Sequence, residues 1–254
     1  MTDTENSLVL PEMAEVWQQT LGWQPDEEQK RMFQRLYEEI LLGNSQLNLT
    51  RITTPVEFWE KHLWDSLRGV APILQSGTSG ESFIDIGTGA GFPGVPVAIA
   101  LQDSAHSAIA FPNSSVTLLD STRKKINFLE TLIAKLDIKN ATTLNGRAEA
   151  IAQQSQHRHN YDVALLRAVA PATLCAEYAL PLLKTGGLAI LYRGHWTDEE
   201  TEALKPVIEK LGGAIESIQG FTTPISNSVR HCVYLRSSSP PREVPIKKNE
   251  KRKK

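Results

Sequence analysis

Little in this sequence suits an exported, membrane-spanning or metal-built protein. Only two cysteines occur among 254 residues, Cys175 and Cys232, far apart and in no C-x-x-C pair. That excludes a disulfide framework and makes a reducing cytoplasm the expected location. No local spacing assembles four metal ligands. No apolar run approaches the roughly 18–20 residues that a membrane-crossing helix needs. The first twenty residues lack the basic stretch and apolar core of a secretory signal, so no export signal is expected. Net charge is also small, with 27 basic and 29 acidic side chains leaving a formal −2. What remains, 41% hydrophobic and 22% charged, excludes a disordered or collagen-like chain and is enough for a full α/β core.

The small net charge hides an asymmetry. From Arg242 to Lys254 seven Lys or Arg face two Glu, a local balance of +5, so the remainder carries −7. Three segments are expected: a helical cap over residues 1–76, an α/β domain over 77–236, and a disordered basic tail over 237–254. In the first, Gln24-Pro25 before Asp26, Glu27 and Glu28 reads as a helix start, with Pro at the first position. Phe33, Leu36, Tyr37, Ile40 and Leu41 recur at helical spacing, and Gly43 reads as the stop. Thr54 and Glu57 fit a capping box. Trp59, Leu63, Ser66, Leu67 and Val70 mark the inner face of the helix that follows.

The second segment alternates strand and helix. SFIDI, SSVTLLD, ATTLN, YDVALL and GGLAILY read as strands, with helices over 123–136, 172–182 and 198–211. AIESIQG and RHCVYLR close the segment with no helix between them, so that pair is expected to be antiparallel. The pattern predicts a doubly wound, mostly parallel sheet with an antiparallel last strand. Residues 103–115 are polar and read as an inserted loop.

Asp85-Ile86-Gly87-Thr88-Gly89-Ala90-Gly91-Phe92-Pro93-Gly94 follows the first strand. Glycines there let the backbone turn sharply and approach a ligand beside a helix N-terminus. The loop alone is weak evidence for a dinucleotide. Asp85 argues against a pyrophosphate, because like charges repel, and for a cationic ligand such as S-adenosyl-L-methionine. Asp120 ends the second strand, where an acid accepts hydrogen bonds from ribose hydroxyls. Gly146-Arg147-Ala148-Glu149 follows the third, within reach of an adenine edge. Arg123, Lys124 and Lys125 crowd the positive end of a helix at ~0.3–1 kcal/mol each, a cost that an anionic partner would offset. Arg167 and Arg193 end the fourth and fifth strands.

NLT at 48–50, KHLWDS at 61–66, FIDIGTGAGFPG at 83–94, LLDSTRKKINFL at 118–129 and RA at 167–168 together resemble one family, the glucose-inhibited division protein B family of bacterial small-subunit ribosomal RNA methyltransferases G. The resemblance runs from about Gly43 to Leu235. It implies a Rossmann-like class I methyltransferase that moves a methyl group from S-adenosyl-L-methionine to N7 of a guanine in 16S ribosomal RNA. It also implies that Gly87 and Phe92 contact the cofactor, that Asp120, Ser121 and Thr122 hold its adenosine, and that Ala148 and Glu149 line the adenine. Arg167 would sit beside the methionine end or the entering base. With Asp85 and Gly89, these make up the expected cofactor site.

The residues agree with that chemistry. Guanine N7 has an in-plane lone pair and no proton, so attack needs positioning rather than a general base. No Pro-Pro-Tyr follows an Asn or Asp at the fourth strand end, and neither cysteine stands where attack on a pyrimidine would need it. His62 reads as a packed or hydrogen-bonding residue. RNA would be gripped through phosphates, with Asn48, Arg51, Lys61, Arg123, Lys124, Lys125 and Arg193 as candidates. The partner is then 16S ribosomal RNA or the small ribosomal subunit, with a monomeric enzyme and no membrane. A methyltransferase for a small molecule or a protein would share the cofactor site, and the cations at 123–125 disfavour it. A nucleotide-binding oxidoreductase is disfavoured by Asp85. A cofactor-sensing RNA-binding protein without turnover stays open.

Overall fold

Among the described residues seven strands form one sheet in the order β3-β2-β1-β4-β5-β7-β6. The computed structural model describes residues 8–77, 80–102 and 111–238. Most of the expected insertion (103–110) and nearly all of the expected tail (239–254) lie outside the described residues. The strands are β1 (Ser82–Ile86), β2 (Ser115–Asp120), β3 (Ala141–Asn145), β4 (Tyr161–Arg167), β5 (Leu183–Arg193), β6 (Gly213–Thr222) and β7 (Val229–Ser237). β1 pairs in parallel with β2 and β4, β2 with β3, and β4 with β5, whereas β7 runs antiparallel to β5 and to β6. The chain lays β1, β2 and β3 outward, then returns to place β4 on the other side of β1. That reversal leaves a crevice outside the carboxyl ends of β1 and β4, where open α/β sheets bind ligands. The doubly wound reading and the antiparallel final pair are both met.

Two core layers flank the sheet. One face packs against α8 (Ala148–Ile151), α9 (Ala172–Ala179) and α10 (Asp198–Lys210). The other is covered by α6 (Gly94–Ala100), α7 (Arg123–Lys135) and the N-terminal helices α1 (Ala14–Leu21) and α2 (Glu27–Leu47). Trp17, Phe33, Phe58 and Trp59 share one continuous apolar cluster with Phe83, Val95 and Leu118 from the sheet side. The N-terminal helices therefore complete a layer of the same core. Each large side chain buried there contributes about 1.5–3 kcal/mol.

Local chemistry sets the ends of α2. Asp26, not Pro25, caps it: the carboxylate accepts from the N–H groups of Glu28 and Gln29, and the Gln29 side chain returns a bond to Asp26 N–H. Proline thus stands outside the helix rather than in its first turn. Nor does Gly43 end it. The helix runs on to Leu47, and Asn48 closes it in the left-handed conformation, φ 48°. Gly43 is small because α7 lies against it, and a Cβ there would come within 2.4 Å of the Phe128 ring.

The next helix carries the site. It consists of α3 (Pro55–Phe58), a π-helical turn over Trp59–Trp64, and α4 (Asp65–Arg68), and leads through Gly69 into α5 (Ala71–Ser76). Trp59, Leu63, Ser66, Leu67 and Val70 are all buried, as their spacing predicts. The expected capping box does not form. The Thr54 hydroxyl donates instead to Glu57 Oε2 at 3.0 Å, and no side chain caps the helix N-terminus. The π-turn widens the spiral by one residue per turn and re-aims the side chains it carries, a feature frequent at functional sites.

Candidate active site

The glycine loop joins β1 to α6. Gly87, Gly89 and Gly91 adopt φ of 73°, 62° and 101°, which side chains with a Cβ rarely take. A Cβ on Gly87 would stand 2.9 Å from Val169, and one on Gly94 would meet Leu118 at 2.3 Å and Asp85 Oδ2 at 2.7 Å. Over Gly89 the space is open, with only Gly87 O and Lys125 Nζ near the 4 Å limit. This is a cradle of bare backbone facing the crevice.

Asp85 has a different duty from the one its position suggests. It is fully enclosed, and Oδ2 accepts from Gly94 N–H at 2.7 Å, so the carboxylate pins the first turn of α6 beneath the loop. Burial pushes its pKa up to about 6, against the lowering effects of the Thr88 hydroxyl, Gly94 N–H and Arg167. With no surface open to the crevice, Asp85 cannot pair directly with a cationic ligand. What it touches is the loop itself, which it holds from beneath.

Asp120 ties the loop to β2. Its Oδ2 accepts from Gly89 N–H at 3.0 Å and its Oδ1 from Thr122 N–H at 2.8 Å, with Lys125 Nζ 3.8 Å from Oδ2. Each carboxylate oxygen has a second lone pair, so acceptor capacity remains for hydroxyls. Ser121 and Thr122 are exposed beside it, and Ala148 and Glu149 open α8 just past β3. Arg123 and Lys124 stand exposed in the first turn of α7. Positive-φ glycines, an open cradle, an acid with hydroxyls at the β2 end and a partly covered acid after β3 fit an adenosyl ligand with an amino-acid end.

On the β4 side, Arg167 is held from three directions. Nη1 donates to Lys61 O and to Asp65 Oδ2, both at 2.9 Å, and the guanidinium lies 5.6 Å from the centre of the Phe92 ring. Nη2 lies 3.5 Å from His62 Nδ1, a long contact. Arginine only donates, so Nδ1 carries the lone pair and the proton sits on Nε2, which faces Thr50 Oγ1 at 2.8 Å. His62 stacks on Phe92 at 4.2 Å and 8°. Burial, then the charges of Arg167 and Lys61, lower its pKa from 6.5 to about 3. His62 is therefore a neutral packing and hydrogen-bonding residue. After Arg167 the chain turns through Ala168 in the left-handed region, φ 56°, which brings Val169 over Gly87.

Several expected contacts have partners of their own. Phe92 turns its ring inward between His62 and Phe58, so only its backbone side is left for a ligand. Lys61 is paired with Glu57 at 2.6 Å. Arg193 donates to Ala170 O at 2.9 Å and lies 3.4 Å from Glu200, so its guanidinium braces the turn after β4 instead of standing free for RNA. Asn48 is the exposed left-handed end of α2, and Arg51 is exposed. Sequence reasoning missed Asp65, to which the KHLWDS motif at 61–66 assigns no role. It also missed Glu60, a buried acid whose Oε1 accepts from Ile225 and Ser226 N–H at 2.6 and 2.8 Å. Burial would raise the Glu60 carboxyl, but these bonds outweigh it and hold its pKa low.

Sheet order, glycine cradle and the acid closing β2 define a class I methyltransferase, an enzyme that takes its methyl group from S-adenosyl-L-methionine. P. horikoshii TYW2, in complex with MeSAdo, shares this fold at a TM-score of 0.50 with 14% identity, over 69% of this chain and 62% of that one. The chain belongs to the rRNA small subunit methyltransferase G family, whose model matches residues 29–231. A ribosomal RNA small subunit methyltransferase G of Trichormus variabilis is 62% identical over 231 residues, 90% of each chain. Another, of Nostoc punctiforme, is 60% identical over 230 residues, again 90% of each. Among the described residues no helix is long and apolar enough to cross a membrane.

Proposed function

We propose that this chain transfers a methyl group to N7 of a guanine in 16S ribosomal RNA, as a cytoplasmic monomer acting by positioning. The observation that carries this is the state of the groups around the β4 end. His62 is neutral, with its pKa near 3 and its proton directed at Thr50. Asp65 is engaged by Arg167. Burial pushes the Cys232 thiol up to about 12 and raises Cys175 as well, so neither supplies a thiolate. A site so arranged suits an acceptor that needs no proton removed, and guanine N7 is one.

S-adenosyl-L-methionine would be held by Gly87, Gly89 and the Phe92 backbone around its amino-acid end. Asp120, Ser121 and Thr122 would take the ribose side, and Ala148 and Glu149 the adenine. When bound, it supplies a methyl on a sulfonium, which departs as a neutral thioether. The protein's own part is to exclude water, fix the base within about 3–3.5 Å in line with that methyl, and leave the N7 lone pair unprotonated. Arg123, Lys124 and Arg51 would hold RNA phosphates at the rim.

Labelled methyl transfer to small-subunit RNA and to intact small subunits tests this, with the product mapped by borohydride–aniline cleavage at 7-methylguanine. Label in a guanine that cleaves supports the reading. Label on another base, or at an exocyclic amine, would end it.

A further inference from the structure

We infer that Asp65 reads the guanine itself, accepting from N1–H and the 2-amino group while Arg167 donates to O6. This rests on the proposed N7 reaction and deepens it by naming the residue that selects the base. The two side chains meet at 2.9 Å at the carboxyl end of β4, on the crevice rim, and are mostly but not wholly covered, with 15% of Arg167 and 13% of Asp65 exposed. Among the described residues Arg167 alone hydrogen-bonds the Asp65 carboxylate, so lone pairs on it are unused. Among the described residues Arg167 Nη2 has only its long contact with His62, and with two N–H bonds it keeps a donor available.

The order of groups matches the order of atoms on the base. Around the perimeter of guanine the 2-amino group, N1–H and O6 follow one another on the Watson–Crick edge, and N7 comes next, past O6, on the adjoining Hoogsteen edge. Arg167 touches the acid at 2.9 Å and lies 5.6 Å from the centre of the Phe92 ring, so its guanidinium links Asp65 to the glycine loop. A base whose donors face Asp65 and whose O6 faces Arg167 presents its next atom, N7, toward the glycine loop. Adenine reverses this pattern, because its 6-amino group would meet a guanidinium and its N1 a carboxylate. The pair would therefore reject adenine and accept a 6-oxo, 2-aminopurine.

The test pairs a change in the RNA with a change in the protein. The target guanosine is replaced by inosine, which keeps N1–H, O6 and N7 but lacks the 2-amino group. For the unaltered enzyme kcat/KM should fall about ten-fold or more, the usual worth of a good base-edge contact. In Asp65→Asn the guanosine-to-inosine ratio should fall toward one, with S-adenosyl-L-methionine affinity unchanged by calorimetry. A purely structural Asp65 would lower both substrates together and leave the ratio alone. If Asp65→Asn does not fold, Asp65→Glu keeps the charge beside Arg167 but displaces the carboxylate, and the ratio should still drop. Equal rates on guanosine and inosine with the unaltered enzyme, or a ratio unmoved in the variant that folds, would overturn the inference. Absence of any 7-methylguanine with the unaltered enzyme would instead sink the reaction it rests on.

Discussion

The two halves of the crevice are built by different means. On the β1–β3 side the ligand cradle is backbone, held by acids close to it in the fold: Asp85 on Gly94 and Asp120 on Gly89 and Thr122. On the β4–β5 side it is side chain upon side chain across long stretches of sequence. Arg167 meets Asp65 across 102 residues, and Glu60 holds Ser226 across 166. A backbone cradle suits a cofactor that is the same in every turnover. A side-chain mosaic suits an acceptor that must be told from its chemical neighbours.

The largest expected effect breaks the backbone half alone. Gly87→Val places a β-branched side chain at φ 73°, against Val169. Calorimetry should show S-adenosyl-L-methionine binding lost, because both the turn and the close approach are gone. Since the exposed cations Arg51, Arg123 and Lys124 grip RNA at the rim, away from the clash with Val169, affinity for RNA should change little. Retained cofactor affinity in this variant would break the comparison at its first step.

The halves also respond to pH in opposite senses. His62 has its pKa lowered to about 3 by burial, so its neutral form stabilises the fold above about 6.5, and that stability is lost as pH falls toward about 3. Across that window the loss approaches about 5 kcal/mol. Asp85 has its pKa raised to about 6 by burial, so its contribution is fully present below about 4 and is lost as pH rises through about 6, by about 3 kcal/mol. Urea unfolding from pH 4 to 8 should show His62→Gln flattening the acid limb. Asp85→Asn should show the smaller effect on the neutral side, gaining on the unaltered protein as pH rises. Parallel pH profiles for the two variants would mean that the halves are not electrostatically distinct.

This division explains what could be read from the sequence. The strand–glycine–helix run and the acid at Asp120 are local patterns, so the sheet, its winding and the cradle follow from contiguous residues. Asp85 was legible as important, but its burial was not, because that depends on Gly94 folding back over it. Gly43 reads as a stop because glycine usually is one, whereas the decisive neighbour is Phe128 on a helix much farther along. The π-turn over Trp59–Trp64 is invisible to a 3.6-residue period, since it shifts the register of Glu60, His62 and Asp65 without changing which residues are apolar. Arg193 reads as a phosphate contact because its partner Glu200 meets it only once α10 is placed, whereas the Glu57–Lys61 pair is local, four residues apart on one helix, and its spacing is legible.

The smallest expected effect separates cations of the two halves. Arg123 and Lys124 lie exposed in the first turn of α7, against the helix dipole. Lys124→Ala should reduce the slope of RNA affinity against salt by about one phosphate contact. It should also leave the fold as stable or more so, by about 0.3–1 kcal/mol, because a charge at the wrong end of the dipole is gone. Arg193→Ala should do the reverse: its guanidinium already serves Ala170 O and Glu200, so the salt slope should hold while the turn after β4 loosens and stability drops. Filter binding across a salt series, with unfolding curves for each variant, reads both quantities. Equal slopes for the two variants would remove the assignment of Lys124 to phosphate and put the RNA grip elsewhere on the rim, with Arg51 the next exposed cation to test.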